Sequence, residues 1–298
     1  MNTAEDEIFI SVCTLFNESQ FHVSSHRKNI QSLRKIHAKA SGNSQNETQF
    51  LQAFCHCLHT ILSFKKTDEV SFTMSKWFYN IQLLFSQVSN KLMRFLVGFI
   101  VRSAEGINTA PQTAAFVERF IEGLMSHVLE NLDSKEKLVR SRLCQVMVAC
   151  LNSVQELTDE IWKVFRVKMT ERLFDKEAIV RVHAIHSMAR LQGLSVEENS
   201  DLTILDIFID LLQHDPSADV RKTALLQIDV NPKSLPIILE RRRDVDTGIR
   251  KLFYSKKMHE IDVLSLTIQQ RDEILNSGLT DRYKRIFNDN VIIIFLFL

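Results

Sequence analysis

The side chains most suited to binding a metal are Cys55, His56, Cys57 and His59, within the string FCHCLHTIL. Thiolates and imidazoles are the ligands that Zn²⁺ prefers in proteins. On a helix, however, Cys55 and His59 share one face whereas Cys57 points nearly the opposite way. No second Cys or His pair follows at zinc-finger spacing. We therefore expect reduced cysteines in a helical core and no bound metal.

Patterns for catalysis or nucleotide binding are missing from the sequence. His183 and His186 lie three residues apart in HAIH, and ordinary packing and surface positions explain them better than a ligand pair. There is no glycine-rich phosphate loop, no G-x-S-x-G and no H-E-x-x-H. The whole chain contains seven glycines, too few to make a nucleotide cradle plausible. The sequence predicts a protein that is not an enzyme and has no cofactor and no small-molecule substrate.

Basic side chains give a better indication of function, because they cluster. Residues 19–46 contain no acid and five bases, and two further groups lie near position 65 and position 242. Such patches suit the phosphates of duplex DNA, which are bound through counterion release and without regard to base sequence. A solvated helix face remains the simpler explanation for any one patch. The candidate DNA contacts are Arg27, Lys28, Arg34, Lys35, Lys39, Lys65, Lys66, Arg241, Arg242 and Arg243.

A repeated local motif indicates which elements position these residues. Four stretches read acid, short spacer, a Val, Ile or similar residue, Arg, and then an apolar helical stripe. We expect each Asp to cap the first turn of a helix and each Arg to follow about a turn and a half later on the exposed edge. We also expect each Arg to bond an Asp of its own or the next repeat, which gives these arginines a structural role. The pairs are Asp133 and Arg140, Asp175 and Arg181, Asp215 and Arg221, and Asp244 and Arg250.

The spacing of the motif predicts the fold. Successive motif arginines are 41, 40 and 29 residues apart, the period range of two-helix repeats. Gly and Pro together number 11, too few for a β-sandwich or barrel, and the 45% apolar content can fill a continuous core. The sequence therefore predicts an all-α HEAT-repeat α-solenoid, a superhelical stack of antiparallel helix pairs, over residues 1–286. The repeats become more regular from about residue 113, and 287–298 are expected to be an unrelated apolar tail at a truncated end.

Hydrophobic periodicity places helices at about 50–64, 70–88 and 91–103, with the polar run SGNSQNET from Ser41 as a loop. The five cysteines are odd in number, and the acidic opening MNTAEDEIFISV lacks the layout of a signal peptide. We therefore expect a reducing compartment, with thiols serving as small core residues. The final VIIIFLFL is eight residues long, and a bilayer span needs about 20. We expect no membrane partner.

From about residue 130 the chain resembles the condensin G subunit family, the HEAT-repeat non-SMC subunits of condensin. The resemblance is carried by ERLFDKEAIVRVHAIHSMARLQ, DPSADVRKTALLQI, SLPIILERRRDVDTGIRKLFY and LSLTIQQRDEILNSGLTDR, in that order and spacing. The string SHRKNIQSLRKIHAK is also similar to the family's opening basic helix. After Arg282 the pattern stops, because Phe287 stands where a further repeat would place its Arg. The chain therefore looks like an N-terminal part of such a subunit.

This resemblance implies a regulatory subunit without catalytic activity, acting in mitotic chromosome condensation. In the family, the repeat array holds a segment of the kleisin subunit, and the two together bind the backbone of double-stranded DNA. ATP hydrolysis belongs to the SMC pair, which is reached through kleisin. The implied location is the nucleus and chromosome, and also the cytoplasm. The alternative is a HEAT-repeat adaptor or scaffold for transport or a phosphatase, which binds proteins instead of DNA.

Overall fold

The structure, a computed structural model, describes residues 3–63, 77–104, 111–154, 157–195 and 202–281 of the chain. α-Helices account for most of these residues, which confirms the all-α prediction. None of the described helices is long and apolar enough to cross a bilayer. The chain forms two compact units, Met1–Phe165 and Arg166–Leu298. The helices are α1 (Thr3–Ser19), α2 (His26–Ala40), α3 (Ser44–Ser63), α4 (Trp77–Ala104), α5 (Pro111–Asn131), α6 (Lys137–Leu151), α7 (Asp159–Leu173), α8 (Ala178–Met188), α9 (Ile204–His214), α10 (Ala218–Gln227), α11 (Leu235–Glu240), α12 (Thr247–Ser255) and α13 (Ile268–Leu279).

The first unit contains two layers of helices. In one layer, which we call layer A, α3 packs between α1 and α5. In the other, which we call layer B, α4 packs between α2 and α6. The consecutive helices of each pair, α1 and α2, α3 and α4, and α5 and α6, also contact each other across the layers. Each helix pair therefore buries its apolar face only by stacking on its neighbours, as in other repeat folds.

Aromatic side chains fill the space between the two layers. Phe16 of α1 lies edge-on to Phe54 of α3 and to Phe95 of α4, with ring centroids 5.5 and 5.0 Å apart. All three rings are at most 5% exposed. Edge-to-face pairs at such separations contribute about 0.5–1.5 kcal/mol each beyond the burial of their area. The contact between Phe16 and Phe95 fixes α4 of layer B against α1 of layer A.

A histidine occupies the centre of this aromatic core. His37 of α2 lies among Phe50, Phe99, Phe116 and Phe120, with ring centroids between 4.1 and 5.8 Å away. Its Nε2 has no hydrogen-bond partner among the described residues. Burial lowers the pKa of this imidazole to about 3, because the protonated ring would lose its hydration. His37 is therefore an uncharged core residue at neutral pH.

The loop predicted from Ser41 is mostly helical, so that prediction is wrong. Gly42 has φ +97°, a left-handed conformation that favours glycine, and it ends the preceding helix. The side-chain oxygen of Asn43 then accepts a hydrogen bond from the backbone N–H of Gln45 at 3.0 Å. This turn satisfies a free N–H at the start of a helix, so α3 begins at Ser44, six residues earlier than predicted.

The two helices predicted over 70–88 and 91–103 are a single helix from Trp77 onward, α4, and residues 70–76 lie outside the described part of the chain. Ser89 and Asn90 separate the two apolar stripes in the sequence, but neither is a strong helix breaker. Because α4 packs against α2 and α6, tertiary contacts outweigh the weak local propensity at Ser89 and Asn90.

The second unit repeats the helix-pair arrangement with shorter elements. Helix α10 packs against α8 on one side and α12 on the other, and it also contacts α9. Helix α9 begins with a capping box, in which Thr203 and Asp206 satisfy each other's backbone N–H groups. Thr267 and Gln270 form the same motif at the start of α13. These caps satisfy backbone donors that the helix itself leaves unpaired.

A buried arginine joins each repeat of this unit to the next. Arg181 donates from Nε and Nη2 to both carboxylate oxygens of Asp215, at 2.7 and 2.8 Å. Its Nη1 donates to the backbone carbonyl of Asp175, six residues before it, at 2.7 Å. One guanidinium therefore holds its own turn and the following turn together. We call this series the arginine ladder.

The same geometry recurs at the next two repeats. The carboxylate partners are about one repeat further along the chain, and the carbonyl partner is again six residues back. Arg221 donates to the carboxylate of Asp244 at 3.1 and 2.9 Å and to the backbone carbonyl of Asp215 at 2.9 Å. Arg250 donates to the carboxylate of Asp281 at 2.7 and 3.4 Å and to the backbone carbonyl of Asp244 at 2.7 Å. This geometry supports a structural role for the motif arginines.

Two details of the motif differ from the prediction. The Asp residues do not occupy the N-cap position, since Asp175 and Asp215 accept instead from the N–H of the cap residue two positions later, at 2.9 and 2.8 Å. The arginines are also not on an exposed edge, because Arg140 and Arg181 are only 4% and 9% exposed. A carboxylate partner compensates the burial of Arg181, which an exposed residue would not need.

The first repeat uses a different residue at the Asp position. Arg140 donates to the backbone carbonyl of Ser134, six residues back, at 2.8 Å. The Ser134 hydroxyl accepts from the N–H of Glu136 at 3.3 Å, which is the bond that Asp makes in the other repeats. Asp133 lies one residue away and is exposed. The seven-residue offset between Asp133 and Arg140 therefore reflects a change of residue at the repeat position, and Ser134 takes the place of Asp.

Candidate nucleic-acid interface

Helix α2 turns its basic residues away from the core. It buries Ile30, Leu33, His37 and Ala40, which recur every three or four residues along one face. All the charged residues of the opposite face are bases, since the helix contains no Asp or Glu. None of its five bases forms an ion pair with a described residue, and four of them are exposed. The exposed four are Arg27, Lys28, Lys35 and Lys39, and Arg34 is half-buried.

The second predicted group, Lys65 and Lys66, lies outside the described residues. Its part in an interface stays a prediction. The preceding helix, α3, ends at Ser63.

The triple arginine separates into one exposed residue and two residues with structural contacts. Arg242 is 8% exposed, pairs with Glu273 of α13, and donates to the backbone carbonyl three residues earlier at 2.7 Å. Arg241 donates to the carboxylate of Asp244 at 3.2 Å. Only Arg243 is exposed. We therefore remove Arg241 and Arg242 from the candidate DNA contacts, because their guanidinium groups hold this turn to neighbouring elements.

Charge in the first unit is divided between its two layers. In layer B, α2 carries five bases, α4 three and α6 three, and no Asp or Glu is present in these helices. In layer A, α1 carries four acids, α3 one and α5 three, against a single base, Arg119. That base pairs with Glu47 of α3 at 2.9 Å. Although the net charge of the chain is near zero, the first unit has a basic layer and an acidic layer. A basic layer attracts polyanions.

The metal-like cluster divides between core and surface. Cys55 and Cys57 are buried, and burial raises the pKa of the Cys55 thiol to about 11. The Sγ atom of Cys57 lies 3.8 Å from that of Cys13 on α1. His59 is exposed, and its Nε2 lies 2.8 Å from Nε2 of His127 on α5. Within the described residues, no three such side chains are arranged to hold a metal ion.

The stacked helix pairs and the arginine ladder define a helical-repeat protein of the HEAT type. Comparison with known proteins gives no matching family model. The chain is 32% identical over 274 residues to condensin complex subunit 3 of Schizosaccharomyces pombe, 27% identical to that of Saccharomyces cerevisiae and 27% identical to that of Xenopus laevis. These alignments cover 92%, 93% and 90% of this chain.

A solved structure gives the same result. A chain of the S. pombe condensin Cnd3-Cnd2 subcomplex matches with a TM-score of 0.70 and 30% identity, over 92% of this chain and 31% of that one. The chain is therefore homologous to condensin complex subunit 3, which confirms the family resemblance and the HEAT-repeat prediction. It spans about a quarter of the length of the curated relatives it matches, 27%, 27% and 24% of the three.

Proposed function

We propose that this chain is part of a non-catalytic condensin subunit that binds the backbone of double-stranded DNA together with kleisin. Through kleisin it would join the SMC ATPase pair and act in mitotic chromosome condensation. The observation that carries the proposal is the face of α2, where five bases without a described ion-pair partner lie on one helix without any acid.

The spacing of the lysines on α2 suits contact with a polyphosphate. Lys28, Lys35 and Lys39 are seven and four residues apart and so form a row along one side of the helix. At 1.5 Å per residue the row is about 16 Å long. Lysine contacts phosphate as a point charge and reads no base, so the expected binding is electrostatic and independent of sequence.

The kleisin partner rests on homology. The structurally similar chain was solved in a subcomplex of Cnd3 with Cnd2. By this homology the chain would act on chromosomes in the nucleus, and the comparisons lend no support to the predicted cytoplasmic pool. A protein-binding HEAT adaptor is the alternative function. Bases scattered over both layers would favour that alternative, whereas in the first unit they are concentrated in layer B.

A mobility-shift titration of the chain with a kleisin fragment and duplex DNA tests this proposal. The test variant Lys28→Glu/Lys35→Glu/Lys39→Glu reverses the row on α2. The control variant Lys176→Glu/Arg190→Glu/Lys256→Glu makes the same change in net charge at three exposed bases of the second unit. We expect the test variant to lose at least tenfold in affinity, about 1.4 kcal/mol, and the control to change little. Equal affinity for all three proteins would contradict the proposal.

A further inference from the structure

We infer that α4 shares the DNA contact with α2, and that the groove between these two helices carries a short track for the phosphates of one DNA strand. This inference rests on the proposed function. The track consists of two α2 residues, Arg27 and Arg34, and three α4 residues, Lys91, Arg94 and Arg102, and we call it the basic seam.

The two helices lie side by side and run in the same direction. The ring of His26 on α2 lies 5.5 Å from that of Phe95 on α4, and further along the ring of His37 lies 5.8 Å from that of Phe99. Between these contacts, a Cβ atom placed on Gly98 would lie 3.1 Å from Cδ1 of Ile30. The absence of a side chain at position 98 therefore allows the close approach of the two helices.

The α2 side of the seam follows from these contacts. Residues three or four apart on a helix lie on the same side. Arg27 precedes Ile30 by three residues, and Arg34 precedes His37 by three, so both arginines lie on the flank of α2 that faces α4. Arg27 is exposed and Arg34 is half-buried, which leaves both accessible at the mouth of the groove.

The α4 side follows from the same rule. Lys91 precedes Phe95 by four residues and Arg102 follows Gly98 by four, so both lie on the flank of α4 that faces α2. The Nζ atom of Lys91 donates to the backbone carbonyl of Phe21, in the turn that leads into α2, at 3.4 Å. Arg94 is exposed and lies beside this flank. The two helices therefore bring bases to the same groove.

The seam differs from the arginine ladder in its lack of counter-charge. Arg181 of the ladder is buried against Asp215 at 2.7 Å. None of the five seam residues pairs with a described acid, and neither α2 nor α4 contains an Asp or a Glu. Like charges gathered without compensation repel one another, and a bound anion would relieve that repulsion. A polyanion fits a linear set of cations better than a single small anion does.

The length of the seam sets the size of the contact. From Lys91 to Arg102 is eleven residues, which is about 16 Å of helix. Base pairs are stacked at 3.4 Å along duplex DNA, so the seam matches about five of them. The planar guanidinium groups of the four arginines can each bind a phosphate through two hydrogen bonds. The contact would therefore be short, and it would add to the lysine row on α2 rather than replace it.

The experiment measures how the affinity of the chain, with its kleisin fragment, for duplex DNA depends on salt concentration. The seam variant is Lys91→Gln/Arg94→Gln/Arg102→Gln, and the matched control is Lys176→Gln/Arg190→Gln/Lys256→Gln. Both variants remove three positive charges, so their long-range attraction to DNA is lowered equally. Thermal unfolding of both variants, followed by circular dichroism, checks that each retains the fold.

Each phosphate contact contributes about 0.9 to the slope of log K against log salt concentration. We expect the slope of the seam variant to be two to three units less negative than that of wild type, as three lost contacts at about −0.9 each imply, and the control to leave the slope unchanged. A folded seam variant with the slope of the control, while wild type still binds, would overturn the seam and leave the proposed function standing. Failure of wild type to bind duplex DNA in the presence of kleisin would overturn both.

Discussion

Removal of one carboxylate from the arginine ladder should destabilise the second unit severely. The substitution Asp215→Ala leaves the guanidinium of Arg181 without the two charge-assisted bonds of 2.7 and 2.8 Å that now compensate its burial. It also removes the acceptor for the N–H of Ser217, which Asp215 binds at 2.8 Å. The Asp215 side chain is 3% exposed and that of Arg181 is 11% exposed, so water can replace neither partner fully.

The expected loss follows from these contacts. Removing one partner of a buried ion pair costs about 3–5 kcal/mol, because the other charge stays buried without compensation. The lost bond to the turn adds about 0.5–1.5 kcal/mol. Since a domain is stable by only about 5–15 kcal/mol, the substitution should remove about a quarter or more of the free energy of unfolding.

Urea unfolding followed by circular dichroism measures this loss. The matched control is Asp210→Ala, which removes an exposed acid from α9 and should change stability by no more than about 0.5 kcal/mol. In a double-mutant cycle, Arg181→Met with Asp215→Ala should recover part of the loss, because no charge is then left unpaired. If Asp215→Ala costs no more than Asp210→Ala, the ladder does not stabilise the repeats and this reasoning is refuted.

Three further predictions concern the first unit. Because the pKa of His37 is lowered to about 3 by burial, the unfolded chain binds a proton below pH 6.5 that the folded chain does not. Stability should therefore fall by about 2 kcal/mol between pH 6.5 and 4.5 in wild type and much less in His37→Leu, as measured by urea unfolding at each pH. A thiol oxidant should form a disulfide between Cys13 and Cys57, whose Sγ atoms are 3.8 Å apart. Mass spectrometry should then show the loss of two hydrogens, and Cys57→Ser should prevent that loss. Gly123→Ala should change stability by less than about 1 kcal/mol in thermal unfolding, because its Cβ would meet only the terminal Cδ2 of the half-buried Leu51, at 2.6 Å, which can rotate away, while alanine favours the helix. A large fall in the midpoint would contradict this.

The sequence predicts the repeat architecture well because each repeat contains a motif of residues that are close together in the chain. The Asp-to-Arg offset of six residues in three of the four motifs is visible without a structure. It corresponds to the bond from Arg Nη1 to a carbonyl six residues back, which depends only on local geometry. In the first motif the prediction is wrong by one residue. Ser134 makes the backbone contact that Asp makes in the other repeats, and the neighbouring Asp133 gives the sequence the same pattern.

Exposure and counter-charge are much harder to predict. Nothing in the string RRR distinguishes Arg243, which is exposed, from Arg242, whose partner Glu273 is 31 residues away. The basic seam is also invisible in the sequence, because Lys91 and Arg94 are an unremarkable pair until α4 is placed beside α2. Long-range packing determines both, whereas the sequence reports only the residues that are neighbours along the chain.

The salt dependence of duplex DNA binding by the chain with its kleisin fragment tests whether the bases of α2 and α4 bind the phosphate backbone. The five bases of α2 and the three of α4 would together contribute about −7 to the slope of log K against log salt concentration if each of them contacted one phosphate. The account predicts a slope of several units below zero that is the same for duplexes of unrelated sequence. A slope near zero, or an affinity that changes with base sequence but not with salt, would contradict it.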